Sequence, residues 1–403
     1  MPDTAQYLII GGCAAAVTFA ATPLVVRVAN RLGWVVAPDD RRVHTVTTPD
    51  VGGIAMFAGF VVALGVSRLM DGFDTVYARN SEPRGVLIAA AVIFLVGLFD
   101  DVREISAPAK VAGTVLAGLV LVSQGVTMYF FRLPLVDIYQ VASEWVPLLT
   151  IVWLLLMSQA INLIDGLDGL AAGIVAIGAA AFFLYSRELE ANNKLTTPNI
   201  GPLICIITVG ICIGFLPHNF NPAKIFMGDG GALLLGLLMA SSTSVVGGRT
   251  DPDQEFFGQS YFFFAPLLIP LIILGVPILD TLYAIVRRAT RRQGLATADK
   301  GHLHHRLMNL GHGQRRSVLI LWLWTALLSG FVLYPVYTTR GFSLAVVGVL
   351  ALGLGLFTVL HPEVRRNRVS RATHRALPPA EQPSLAPVER AEIGTGADGK
   401  TDS

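Results

Sequence analysis

Charge is what this chain has least of. Asp, Glu, Lys and Arg make up 14% of its 403 residues, against 53% apolar residues and a mean hydropathy of +0.61. So little polar side chain excludes an ordinary soluble globular domain. Cysteine is scarce as well. Cys13, Cys205 and Cys212 all fall inside apolar runs, where a thiol behaves as a small hydrophobe, and neither a disulfide framework nor a zinc spacing follows from them. A basic leader is also missing. The first apolar run follows Asp3, ends at Arg27 and Arg31, and is too long for the core of a signal peptide, so it reads as a first span. The net charge is only +2, and nucleic acid is not an expected partner.

What the chain does have is apolar stretches of about 18 to 20 residues, each long enough to cross a hydrocarbon core of about 30 Å. The expected fold is an all-α polytopic integral membrane protein with about eleven transmembrane helices. Their expected positions are 7–29, 51–70, 85–99, 107–124, 145–161, 168–187, 200–216, 231–248, 260–286, 317–337 and 342–360. Residues 1–361 then form a transmembrane catalytic domain. Residues 362–403, rich in Pro, Ala, Glu and Arg without apolar periodicity, are expected to be a disordered cytoplasmic tail whose arginines lie against anionic headgroups.

The basic residues orient the chain. If the first span runs from outside to inside, one set of loops holds Arg31, Arg41, Arg42, Arg103 and Lys224, and then the dense run from Arg287 to Arg316. The opposite loops hold Arg79, Arg84, Arg132, Lys194, Arg249 and Arg340. This asymmetry predicts a multi-pass protein of the plasma membrane with its N-terminus outside and its C-terminus in the cytoplasm. The same orientation puts four polar clusters on the cytoplasmic side, where a scatter of polar residues would have divided between both faces.

The first cluster is Asp100-Asp101, at the end of the third expected span. A pair of carboxylates can simply mark a membrane boundary, but adjacent like charges persist best where a cation or proton offsets them. The second is Asn162, Asp165 and Asp168, spaced to share one face of a helix and to stay within reach of one another even in a turn loosened by Gly166 and Gly169. Capping by Asp168 would explain one carboxylate but not three polar groups. The third runs from His218 to Gly231, with Asp229 between glycines at the start of a span. There, backbone N–H groups favour phosphate and a carboxylate can hold Mg²⁺, which takes one or two protein carboxylates and fills its octahedron with water and substrate phosphate. The fourth is His302-Leu-His-His-Arg306. Its arginine neighbours suit an anion better than zinc, whereas positive-inside bias alone would not call for three histidines. Weaker candidates are Arg42, His44 and Thr48 ahead of the second span, and Lys110 early in the fourth. Lys110 is either an interfacial anchor or a holder of lipid phosphate. Asp280, in the ninth span, reads as a structural partner for another helix.

Taken together, Phe99-Asp100-Asp101, Asn162-Leu-Ile-Asp-Gly-Leu-Asp-Gly-Leu170, Asn221-Pro-Ala-Lys-Ile-Phe-Met-Gly-Asp229 and His302-Leu-His-His-Arg306 resemble the signature blocks of a known family. These are the polyprenyl-phosphate N-acetylhexosamine-1-phosphate transferases, which include the WecA-type enzymes and the phospho-N-acetylmuramoyl-pentapeptide transferases. The resemblance implies transfer of a sugar 1-phosphate from a UDP-sugar to a polyprenyl phosphate, release of UMP, a need for Mg²⁺ or Mn²⁺, a cytoplasmic-face active site and a homodimer. By the same resemblance, Asp229 ligates the metal with Asn162 near it. Asp100 and Asp101 act on the lipid phosphate or its surroundings, and Asp165, Asp168 and Phe226 lie around the nucleotide. Asn221, Lys110, Thr48, Arg42, His44, His304, His305 and Arg306 bind substrate, with His302 joining the catalytic set. Where muramoyl enzymes carry a His-His-His-x-Glu block, this chain has His-Leu-His-His-Arg, which resembles the GlcNAc-1-phosphate branch.

Two rivals fit less well. A CDP-alcohol phosphotransferase shares Asp165-Gly-Leu-Asp168-Gly169, but the chain continues Leu170-Ala-Ala-Gly-Ile without the rest of that acidic signature. A transporter would place its ionisable groups near the midplane of interrupted helices, in repeated halves. Here they gather at span ends.

Overall fold

The computed structural model describes residues 2–36, 47–78, 80–128, 130–132, 138–140, 142–192, 195, 198–246 and 313–337, with single residues 348, 350 and 353. Its helices are α1 (Thr4–Leu32), α2 (Gly53–Arg68), α3 (Asp74–Ala78), α4 (Glu82–Arg103), α5 (Ala107–Ser123), α6 (Val146–Ile164), α7 (Leu170–Ala191), α8 (Gly201–Asn219), α9 (Gly228–Val246) and α10 (Gly313–Tyr337). Two short antiparallel pairs join β1 (Val35–Val36) to β2 (Thr48–Pro49) and β3 (Phe130–Arg132) to β4 (Ile138–Gln140).

Among the described residues, six helices are long and apolar enough to cross a bilayer: α1, α4, α6, α7, α8 and α9. A seventh candidate is α2 with the segment Asp71–Ala78, bent by 89° at the break between them. The protein is therefore a helical, multi-pass membrane protein. The described residues do not reach the expected count of eleven. Expected spans 260–286 and 342–360 lie outside them, apart from the three single residues, α5 is shorter than a full span, and α10 falls on 317–337. The third and fifth expected spans come out longer than their sequence limits, since α4 runs through Asp100 and Asp101 to Arg103 and α6 runs through Asn162 to Ile164. Polar side chains at a span end look like loop in a hydropathy profile, yet backbone hydrogen bonding continues through them.

Local signals set the helix ends. Asp3 accepts the Ala5 N–H while the Gln6 side chain accepts the Asp3 N–H, so α1 begins with a capping box. Gly33 ends the helix at φ 74°, the left-handed conformation that glycine adopts most readily.

The bundle is built around α9, whose residues from Gly230 to Val246 are all buried. A helix covered on every side belongs at a centre, and α2, α4, α6 and α8 all pack on it. Three of its hydroxyls bond back along the helix, Ser242, Thr243 and Ser244 to Met239 and Ala240, and Trp153 of α6 donates to Thr243. Outside this layer, α1 lies against α2 and α8, α5 against α4 and α6, α7 against α8, and α10 against α7. Leu8, Ile9, Phe19 and Leu24 leave one side of α1 apolar and exposed, as suits a lipid-facing stripe. At one end of the bundle, Ser81 bonds the Gln124 carbonyl, Arg187 reaches Thr4, and Asn199 bonds the Val245 carbonyl. The three polar clusters among the described residues lie at the other end.

Candidate active site

Three helix ends meet at the polar end of the bundle. Lys110, in the first turn of α5, places its ammonium 2.6 Å from Asp100 of α4 and 2.5 Å from Asp229 of α9. All three side chains are largely buried, at 24%, 14% and 20% exposure, so the ammonium offsets two carboxylates that would otherwise repel in a poorly solvated place. Lys110 therefore points into the bundle end, away from the interfacial-anchor alternative. The other oxygen of Asp100 accepts the Ile105 N–H at 2.8 Å, closing the turn between α4 and α5. Asp101, the next residue, faces α9 instead and accepts the N–H groups of Asp229 and Gly230 at 2.6 and 3.0 Å. Those are amides that the sequence reading reserved for phosphate.

The second cluster is a turn and not one continuous helix face. α6 ends at Ile164 and α7 starts at Leu170, with Asp165 and Asp168 between them. Gly169, at φ 78°, is the N-cap of α7 and no side chain caps it, so Asp168 is free of the capping role. Its carboxylate accepts the Asn221 side-chain amide at 2.9 Å and the Ala223 N–H at 3.1 Å. Asn219 completes the tie by accepting the Gly169 N–H and donating to the Ile225 carbonyl. Asn221 also donates to Gln314 of α10 at 2.7 Å, and its carbonyl accepts from Arg315 at 2.8 Å. The segment carrying Asn221 and Phe226 is thus held from both sides. Phe226 is half-buried, and its backbone bonds Pro49 and Gly52, which joins the start of α2 to the same loop. Thr48 is buried in β2, and Asn162 sits half-buried in the last turn of α6.

Asp165 links the two clusters. It stands in the electrostatic field of Asp50, Asp229 and Asp168, and burial together with these charges pushes its carboxyl up to about 8. Asp50, which also acts on Asp101, belongs to the site although the sequence reading passed over it. Its signal was present as an acid just ahead of the Gly52-Gly53 pair at a span start. Gln314 and Arg315, in the first turn of α10, were missed for other reasons: a basic residue beside a span satisfies the expected charge bias without any further role, and a neutral amide next to it carries no charge signal. Arg42, His44, Asp280, His302, His304, His305 and Arg306 lie outside the described residues.

The donor set suits a hard divalent cation. Among the described residues no three His, Cys, Asp or Glu side chains group closely enough to form a metal cage by themselves, as a zinc site of the structural kind would require. Mg²⁺ needs only one or two carboxylates plus phosphate and water oxygens. Asp165 donates its backbone N–H to the Asn162 carbonyl, and its carboxylate, in the field of Asp50, Asp229 and Asp168, marks a place where added positive charge is favourable.

Residues 84–247 match the family described as Glycosyl transferase family 4. The chain is 36% identical over 371 residues to a decaprenyl-phosphate N-acetylglucosaminephosphotransferase of Mycobacterium leprae (strain TN), covering 90% of this chain and 91% of that protein. It is 37% identical over 303 residues to a probable undecaprenyl-phosphate N-acetylglucosaminyl 1-phosphate transferase of Bacillus subtilis (strain 168), covering 75% and 77%. A phospho-N-acetylmuramoyl-pentapeptide-transferase of Mycobacterium sp. (strain JLS) is 30% identical over 368 residues, covering 81% and 95%.

Proposed function

Because the chain belongs to glycosyl transferase family 4, we propose that it transfers N-acetylglucosamine 1-phosphate from UDP-GlcNAc to a membrane polyprenyl phosphate. The acceptor is decaprenyl or undecaprenyl phosphate, UMP is released, and the product starts a lipid-linked cell-envelope glycan. The observation that carries this reading is the junction of α4, α5 and α9, which gathers Asp100, Lys110 and Asp229 at one end of the bundle. We propose further that the enzyme has eleven spans and lies in the plasma membrane with its N-terminus outside. The site and C-terminus then face the cytoplasm, and the enzyme works as a homodimer, as the family resemblance implies.

The two substrates are both anionic, so positioning and charge neutralisation are the work required. Asp229, with Asp165 close in its field and Asn162 nearby, would hold Mg²⁺ or Mn²⁺. Such an ion would supply positive charge against the diphosphate at these residues. Lys110, paired with Asp100 and Asp229, would pass from Asp100 to the lipid phosphate, pairing with the attacking anion and orienting it. A phosphate monoester has its second pKa near about 6, so the attacking oxygen needs no strong base. One of its oxygens attacks the sugar-bearing phosphorus in line. The bond between that phosphorus and the oxygen bridging to the uridylate phosphorus breaks, and UMP leaves with the electron pair. Asp168, Asn219 and Asn221 keep the Phe226 loop in place beside this centre, where the nucleotide would lie. Arg42, His44, Thr48, His304, His305 and Arg306 complete the proposed substrate-binding set, and His302 joins the proposed catalytic set.

The test is UMP release by the purified full chain given UDP-GlcNAc, Mg²⁺ and polyprenyl phosphate, with UDP-MurNAc-pentapeptide in a parallel arm. Release with the first donor alone is the expected result. Release only with the second moves the chain to the muramoyl branch, and release with neither overturns the proposal. A phosphorylated enzyme trapped with UDP-GlcNAc in the absence of lipid would replace in-line attack by a covalent route.

A further inference from the structure

We infer that Asp101 is a positioning residue: its carboxylate caps the first turn of α9 from a different helix and so aims Asp229, and it meets neither substrate. Each Asp101 oxygen has one backbone partner, the Asp229 N–H at 2.6 Å and the Gly230 N–H at 3.0 Å. Helix N-termini carry unpaired donors and a partial positive charge. Here a carboxylate from α4 answers both, and it bonds the very amide of the proposed metal ligand.

Backbone contact makes this arrangement rigid. A Cβ added at Gly97, one turn earlier in α4, would lie 2.5 Å from the Gly230 backbone, so the two helices touch there. Gly228 stands at φ 68°, and a Cβ there would lie 2.5 Å from the Asp101 carboxylate and 2.5 Å from the Asp50 carbonyl. The chain therefore enters α9 along a path that glycine permits and Asp101 closes. Asp100, by contrast, turns to Ile105 and Lys110. The two adjacent aspartates divide into one that faces the proposed lipid phosphate and one that holds α9.

This inference rests on the proposed metal site at Asp229, and the experiment separates the two. Mn²⁺ binding to the full chain in detergent, without substrates, is followed by electron paramagnetic resonance for the unaltered protein and for Asp101→Asn, Asp101→Glu, Asp100→Asn and Asp229→Asn. Backbone hydrogen exchange is followed over residues 228–234, together with the KM for polyprenyl phosphate. Asp101→Asn keeps a single acceptor oxygen. It is expected to weaken Mn²⁺ binding about 10- to 100-fold, the range for residues that orient a metal ligand, to speed exchange at the start of α9, and to leave the lipid KM unchanged. Asp101→Glu retains the charge and is expected to fall between the two, which covers the case in which the amide variant does not fold. Asp100→Asn should instead raise the lipid KM. If Asp101→Asn raises the lipid KM and leaves Mn²⁺ binding and exchange unchanged, the positioning role is overturned. If exchange quickens but Mn²⁺ binding stays the same, the cap is structural only and the inference also fails. Unchanged Mn²⁺ binding in Asp229→Asn would overturn the metal site itself, whatever Asp101 does.

Discussion

The junction of α4, α5 and α9 and the junction of the Asp168 turn with the Asn221 loop and α10 both tie distant segments together through aspartates, by different chemistry. In the first, Asp100 and Asp229 share one ammonium. In the second, Asp168 is satisfied by neutral donors, the amide of Asn221 and the N–H of Ala223, and Asn221 passes the tie on to Gln314. A carboxylate paired with a mobile cation can exchange that partner for a metal or a phosphate. A carboxylate held by a backbone N–H and a side-chain amide is fixed in place. The first junction is therefore suited to react and the second to hold.

Substitutions can break that contrast. Replacing Asp229 with Asn removes the proposed metal ligand and should lower UMP release on the order of 10²- to 10³-fold, with the protein still folding; a loss below tenfold would move the reacting centre away from α9. Lys110→Ala leaves Asp100 and Asp229 facing each other without their shared cation. A half-buried pair lies between the exposed and buried limits, so a loss of about 1–3 kcal/mol is expected. It should appear as a fall in the thermal midpoint in detergent that millimolar Mg²⁺ largely reverses. A fall that Mg²⁺ leaves untouched would mean that the ion does not reach these carboxylates.

The Asp165→Asn variant probes the field between the junctions. The carboxyl binds its proton more tightly in the folded protein, about 8 against a usual value of 3.8. Its contribution is therefore fully present below pH 3.8 and is lost as pH rises toward about 8. With a chelator present, the unaltered protein should lose stability across that interval more steeply than Asp165→Asn; parallel pH profiles would place the carboxyl in water instead. The smallest effect is expected from Gln314→Ala, which removes one neutral hydrogen bond to Asn221. It should cost about 0.5–1.5 kcal/mol, seen as a modest fall in thermal midpoint at near-normal UMP release. A hundredfold loss of activity there would show that the second junction also reacts.

How much of this could be read beforehand differs from residue to residue. Asp100, Asp101 and Asp229 stand out because acids at the ends of apolar runs are costly to desolvate. Lys110 stands out as a cation in an apolar segment, but the sequence fits an anchor as well as a holder of lipid phosphate and does not show its pairing with Asp100 and Asp229. Asn162, Asp165 and Asp168 fit either one helix face or a turn loosened by Gly166 and Gly169, and the spacing alone does not choose; the structure takes the turn, between α6 and α7, with Gly169 at φ 78°. Asp50 and Gln314 gave little notice, since an acid or amide near a loop satisfies local expectations without any distant partner.

By itself the sequence determined where the chain is apolar enough to cross a bilayer and that its acids sit at the ends of those runs. Transfer between water and hydrocarbon depends on each stretch alone, so a linear reading captures it. Only the tertiary structure decided which oxygen meets which donor. Asp101 is bonded to an amide 128 residues further along, and that pairing exists because two helix backbones come close enough at Gly97 for one helix to close the end of the other.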